Sequence, residues 1–167
     1  MLILFFVGLI AIIGLDQLTK YFAVVHLTNV RTHPLIEDVF HLTYVENPGA
    51  GFGIFADYTW LLSVLSAVVA LALIGYVLVK KPNNAWLMTA LTFLCGGAVG
   101  NFIDRVRLGY VVDFLDFTLI NFPVFNVADC FVTVGAVLLA VYIVFFEDKE
   151  TEKKKEYAPE EMEEKKE

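Results

Sequence analysis

The sequence predicts an all-α integral membrane protein: four transmembrane helices, with a small extramembrane β element between the first two. Three observations carry that prediction. The chain of 167 residues is 58% hydrophobic and only 19% charged, with a mean hydropathy of +0.68; a soluble domain carries about 25% charged and about 45–50% apolar residues. Sixteen of the charges lie in the last 21 positions, Glu147 to Glu167, which leaves 15 for the first 146 residues. Within those 146, four apolar runs each approach the ~20 residues that a helix needs to cross ~30 Å of hydrocarbon.

The first run extends from Leu2 to about Leu27 and is interrupted by Asp16 and Lys20. The others run from about Tyr58 to Val79, from about Ala85 to Ile103 and from about Val127 to Phe146. In lipid a backbone must satisfy its own hydrogen bonds, so helices are expected; barrel strands would alternate in polarity, and these runs do not. The first run has no basic leader and no small-residue cleavage site, and the chain resumes after Lys20 with YFAVV. It reads as a retained helix rather than a signal peptide. Residues 1–146 are thus expected to form one membrane domain. Residues 147–167, acidic and lysine-rich, are expected to be a disordered cytoplasmic tail.

Orientation follows from Lys and Arg near the spans. Lys80 and Lys81 sit in the tight turn between the second and third helices, and Lys149 and Lys153 to Lys155 follow the fourth. With four helices, that turn and both termini share one side, assigned to the cytoplasm. Trp60 and Trp86 open the second and third helices at opposite interfaces, as an aromatic belt predicts. Between the first two helices, FHLTYVEN (Phe40 to Asn47) is rich in aromatic and β-branched residues and breaks at NPGAGFG, which reads as strand then turn. The segment LDFTLINFPVF before the fourth helix is apolar and aromatic, suited to lying on the interface.

Composition also excludes several roles. Of the net charge of −7, the tail carries −4, and the body shows no basic stripe of the kind a nucleic-acid binder presents. Cys95 and Cys130 lie in apolar runs at no metal-ligating or disulfide spacing, and read as reduced thiols. No internal repeat of the transporter kind is evident.

The remaining polar residues converge. Counting from the cytoplasm, Asp16 lies about 22 Å along the first helix at ~1.5 Å per residue, and Lys20 is one turn further on the same face. Asn47 falls in the outer loop. The third helix delivers Asn101, Asp104 and Arg105 at its outer end, Asp113 follows in the outer loop, and Asn126 and Asp129 open the fourth helix at the same surface. Each has a structural reading: a helix-face ion pair for Asp16 and Lys20, a pin at the helix end for Asp104 with Arg105, an N-cap for Asn126. Asp129 is set among membrane-facing residues in ADCFVTVGAVLL, and charges so near hydrocarbon favour a functional site. Gly96, Gly97 and Gly100 let the third helix approach a neighbour closely.

Elimination narrows the chemistry. Ser63 and Ser66 lie inside the second helix with no His in view, and His26, His33 and His41 show no HExxH spacing, so no metal centre is expected. Carboxylates remain. Two carboxyl groups held within a few ångströms share a proton, so that one serves as base toward water while the other polarises a carbonyl. Such a pair hydrolyses a peptide without a cofactor. Asp113 and Asp129, 16 residues apart, are the preferred pair, although spacing alone does not single them out. The competing readings are a small ion-binding or transport bundle, which would distribute polar groups along a pathway, and a structural subunit joined through its glycines.

Five motifs in order, DQLTK (Asp16 to Lys20), NPGAGFG (Asn47 to Gly53), GGAVGNFIDR (Gly96 to Arg105), GYVVDF (Gly109 to Phe114) and FNVAD (Phe125 to Asp129), resemble those of the lipoprotein signal peptidases, or signal peptidase II. They cover roughly residues 10–145. The resemblance implies a bacterial inner-membrane aspartyl endopeptidase that removes signal peptides from prolipoproteins, cutting before a cysteine that already carries a diacylglyceryl group. It implies Asp113 and Asp129 as the catalytic pair. Asn101, Arg105 and Asn126 would line the substrate pocket, and Asn47 and Gly49 would belong to the β element cradling the substrate. Asp16 and Lys20 would support the site, and Asp104 would orient the pocket. Its partners would be lipidated precursors and membrane lipid, with the active site near the outer face. Gly51 stands where the family more often has Ala, and the charged tail has no place among the motifs.

Overall fold

The computed structural model describes residues 1–49 and 56–146 of the chain. Four long helices dominate: α1 (Leu2–Leu27), α2 (Thr59–Lys80), α3 (Ala85–Leu108) and α4 (Val127–Phe145). All four are long and apolar enough to cross a membrane. A three-stranded antiparallel sheet in the order β1-β2-β3 caps one end, from β1 (Thr32–Ile36), β2 (Phe40–Asn47) and β3 (Val111–Asp116). The tail expected over 147–167, and Gly51 within its turn, lie outside the described residues.

Helix α3 is the centre of the bundle, packed against α1, α2 and α4. Its composition explains the position. Asn84 caps it by accepting from the Trp86 and Leu87 amides at 2.9 and 3.2 Å. Its small residues then bury among neighbours: a Cβ on Gly96 would meet the Ile12 side chain at 2.6 Å, and one on Gly97 would run into the Ala128 carbonyl. Larger residues there would force α1 and α4 away. Apolar side chains on the outer helices, such as Ile3 and Ile10 of α1, Leu65 and Leu71 of α2 and Val137 and Val144 of α4, stay exposed, as lipid-facing positions do.

Two apolar cores flank a polar layer. One gathers Phe5, Leu9, Val77, Leu91, Cys95 and Tyr142 toward the α2–α3 turn. The other lies beneath the sheet, where Ala23 and Leu27 of α1 meet Tyr44, Val112 and Phe114. Between them lie Asp16, Lys20, Asn101, Asp104, Asp113 and Asn126, all buried.

Two details differ from the sequence reading. Helix α3 runs past Ile103 to Leu108, where Gly109 at φ 82° ends it and returns its N–H to the Arg105 carbonyl. Only glycine takes that left-handed turn at no steric penalty. The GYVVDF segment, read as loop, is strand β3 and pairs with β2 in the register Val45↔Asp113 and Asn47↔Val111. The sheet therefore draws its third strand from between α3 and α4, and Asp113 is held by a ladder rather than by a loop.

Candidate active site

The site is built on α1, one turn of which supplies Asp16, Gln17 and Lys20. The Lys20 ammonium spends its three N–H donors on Asp16 Oδ2 at 2.9 Å, Asp104 Oδ2 at 3.0 Å and Asn101 Oδ1 at 2.9 Å. Both salt-bridge carboxylates are fastened elsewhere as well. Asp16 Oδ1 accepts the Ala128 amide at 2.9 Å, placing a negative charge against the positive end of α4. Asp104 Oδ2 accepts the Val112 amide at 3.1 Å, and its Oδ1 accepts Gln17 Nε2 at 2.9 Å. A buried charge is tolerable only when paired and fully hydrogen-bonded, and Lys20 meets both conditions. The triad therefore ties α1, α3, α4 and β3 together. It depends on Gly100, where a Cβ would sit 2.6 Å from Asp16 Oδ2.

Three carboxamides surround the Asp113–Asp129 pair. Asn126 Nδ2 donates to Asp113 Oδ1 at 2.6 Å and to Asn101 Oδ1 at 3.1 Å. Asn47 Nδ2 donates to Asp113 Oδ2 at 2.8 Å, reaching across from β2. Asn101 Nδ2 donates to Asp129 Oδ1 at 2.8 Å, and the Asn126 amide to Asp129 Oδ2 at 3.1 Å. Asn126 Oδ1 accepts the Asp129 amide at 3.0 Å, which completes a capping box at the start of α4. Asn126 is thus the N-cap expected of it and a bridge between the two aspartates. Burial is the main influence pushing the Asp113 carboxyl up, to about 6; the Asp129 charge adds to it, while the Asn47 and Asn126 hydrogen bonds and the Lys20 charge oppose it.

Both aspartates face a cavity of about 550 Å³. Asn47, Asn101 and Arg105 share its polar end, and Phe122, Pro123, Val124 and Phe125 wall the other side with Val132 to Val134 of α4. Arg105 donates to the Gly49 carbonyl at 3.0 Å, while Gly49 gives its N–H to Asn47 Oδ1 at 3.0 Å. Arg105 thus lines the cavity while anchored to the β2 end, and among the described residues its buried Nε has no hydrogen-bond partner.

The structure brings all ten sequence-predicted residues into one connected network: Asp16, Lys20, Asn47, Gly49, Asn101, Asp104, Arg105, Asp113, Asn126 and Asp129. Gln17 was not singled out, yet it bonds Asp104 and approaches the Gly100 carbonyl at 3.3 Å. An exposed-looking amide between a charge pair offered no signal beyond its place in DQLTK. Cys130 was read only as a reduced thiol in an apolar run, and it also lines the cavity beside Asp129. Among the described residues, no group of three or more His, Cys, Asp or Glu side chains is placed to hold a metal ion.

Comparison with known proteins agrees with this architecture. The family model described as Signal peptidase (SPase) II matches residues 8–145. The chain belongs to the signal peptidase II family. It is 49% identical to the lipoprotein signal peptidase of Caldanaerobacter subterraneus over 135 residues, covering 80% of this chain and 91% of that one. It is 44% identical to the lipoprotein signal peptidase of Clostridioides difficile, covering 87% and 98%, and 52% identical to that of Brevibacillus brevis, covering 77% and 86%. A bacterial membrane enzyme solved by the in meso method at 2.3 Å resolution superposes with a TM-score of 0.78 at 29% identity, over 84% of this chain and 87% of that one. As a signal peptidase II family member, the chain is a multi-pass membrane protease.

Proposed function

We propose that this peptidase is of the aspartic type, with Asp113 and Asp129 as its catalytic pair. Its substrates are prolipoproteins already carrying a diacylglyceryl group, cut immediately before the modified cysteine. The observation that carries the reading is the floor of the cavity, where two aspartates linked through Asn126 face one space. One ionised carboxylate takes a proton from water as the hydroxyl adds to the scissile carbonyl carbon. The other, protonated, donates to the carbonyl oxygen, and the amine then leaves as it receives a proton. The upward push on Asp113 supports a shared proton near neutral pH. The polar end of the cavity, with Asn47, Asn101 and Arg105, and its apolar wall suit a peptide backbone followed by lipid.

The orientation belongs to the same proposal: both termini cytoplasmic, the sheet and the site at the outer face of the bacterial inner membrane. An anchored substrate then meets the pair at the depth where its scissile bond lies, which reduces the entropy lost on binding. The transport reading finds less support, because the polar groups gather at one end of the bundle rather than along it. The test is to supply purified protein in detergent with the same precursor in diacylglyceryl-modified and unmodified form, and to weigh the products. One new product from the modified form alone, beginning at the lipidated cysteine, is expected. Equal cutting of both forms, or a cut elsewhere, overturns the substrate assignment.

A further inference from the structure

Each of the three carboxamides at the pair is oriented by a group that can only donate. The Gly49 amide turns Asn47, the Asp129 amide turns Asn126, and the Lys20 ammonium turns Asn101. An Asn side chain presents an acceptor at one end and donors at the other. With its Oδ1 held by Lys20 at 2.9 Å, Asn101 has only its NH2 left for Asp129, at 2.8 Å. Lys20 does not touch the pair or line the cavity. Its position in the chemistry is one residue removed.

We propose that Lys20 is a positioning residue: by fixing the direction of the Asn101 carboxamide it keeps an N–H on Asp129 and makes Asp129 the ionised base of the pair, leaving the proton on Asp113. This rests on the aspartic reading above. Without Lys20, Asn101 Oδ1 keeps only the 3.1 Å donation from Asn126 Nδ2, so the amide is held less firmly and turns more readily to present its oxygen to Asp129, which disfavours the carboxylate. The charged and titratable groups around Asp129 are Asp113 on β3, Asp16 and Lys20 on α1, Asp104 and Arg105 on α3, and the Cys130 thiol on its own helix. The burial that pushes Asp113 up agrees with the proton residing there. Asn126, which donates to both Asp113 and Asn101, links the two ends of the arrangement.

The test separates this role from a purely structural one. Lys20→Met alone strands two buried carboxylates, so the main variant is Lys20→Met with Asp16→Asn, which keeps the net charge of the triad. The same pair of changes is also made in an Asn101→Ala background. Two readouts are taken across pH 4 to 8: cleavage of the lipidated precursor, and the infrared band of protonated carboxyl groups, assigned with Asp113→Asn and Asp129→Asn. In the parent protein, the band at pH 5 should vanish with Asp113→Asn and persist with Asp129→Asn. In the Lys20→Met/Asp16→Asn protein, the low-pH limb of kcat should move up by about one pH unit with KM little changed, and a second protonated carboxyl should appear. In the Asn101→Ala background that shift should be absent, and Lys20→Arg should retain most of the parent profile. A folded double variant whose limb and band stay at their parent positions overturns the proposal, as does a shift of equal size without Asn101. The infrared readout needs no substrate, so failure of the cleavage assay alone strikes the aspartic reading and leaves this inference to the band.

Discussion

Replacing Asp113 by Asn should abolish turnover and, at neutral pH, stabilise the protein. Asp113 is 2% exposed, and its surroundings push its carboxyl from the ordinary 3.8 to about 6. A folded-state value above the unfolded one means that stability is fully present below about pH 4 and lost as pH rises through about 6. Two units correspond to about 3 kcal/mol held against the fold at pH 8. Asn removes that penalty but turns one acceptor into a donor facing Asn47 or Asn126, which forfeits a hydrogen bond worth about 1–2 kcal/mol. The variant should therefore be about 1–2 kcal/mol more stable than the parent at pH 8, and about 1–2 kcal/mol less stable at pH 4. Unfolding in detergent, followed through Trp60 and Trp86 fluorescence at both pH values, measures the crossing. A difference that stays constant between pH 4 and pH 8 refutes the reasoning, because it would place Asp113 in an ordinary carboxylate environment.

Three further outcomes are expected. Because the protonated form of Asp113 is lost as pH rises through about 6, kcat/KM should decline on its alkaline side from near that value, and a pH–rate profile with lipidated precursor checks it. Gly100→Ala should destabilise the protein by about 1–3 kcal/mol and lower activity, since the added Cβ meets Asp16 Oδ2 at 2.6 Å; thermal unfolding and turnover read both effects. Arg105→Lys keeps the charge but loses the planar fork that holds the Gly49 carbonyl, so KM for the lipidated precursor should rise by about tenfold with kcat less affected.

Much of this architecture is legible in the residues because lipid leaves few alternatives. An apolar run of sufficient length must be a helix, and the starts of α1, α3 and α4 fall where the runs begin. FHLTYVEN is β2 from its first residue to its last, since aromatic and β-branched residues precede an Asn-Pro-Gly break. Strand β3 was hidden for a physical reason. Val111, Val112, Asp113 and Phe114 are all buried, so the segment shows no alternation, and the strand it pairs with lies far back in the sequence. The convergence of aspartates and asparagines at one end followed from topology, but the direction of each carboxamide did not. That depends on donors such as the Gly49 amide and Lys20, whose distances only the packed structure sets. Gln17 escaped notice because nothing in its residue type marks it apart from an ordinary helix-surface amide.

The central claim is that Asp113 and Asp129 together perform the hydrolysis, and the most direct measurement is single-turnover cleavage of a diacylglyceryl-modified prolipoprotein by the parent, Asp113→Asn and Asp129→Asn proteins. Each variant is first shown to be folded by its unfolding transition. The account predicts a loss of roughly 10²–10⁴-fold or more in each variant, with no further loss when both are combined, because the two act as one unit. Cleavage within a few-fold of the parent by either folded variant would contradict it.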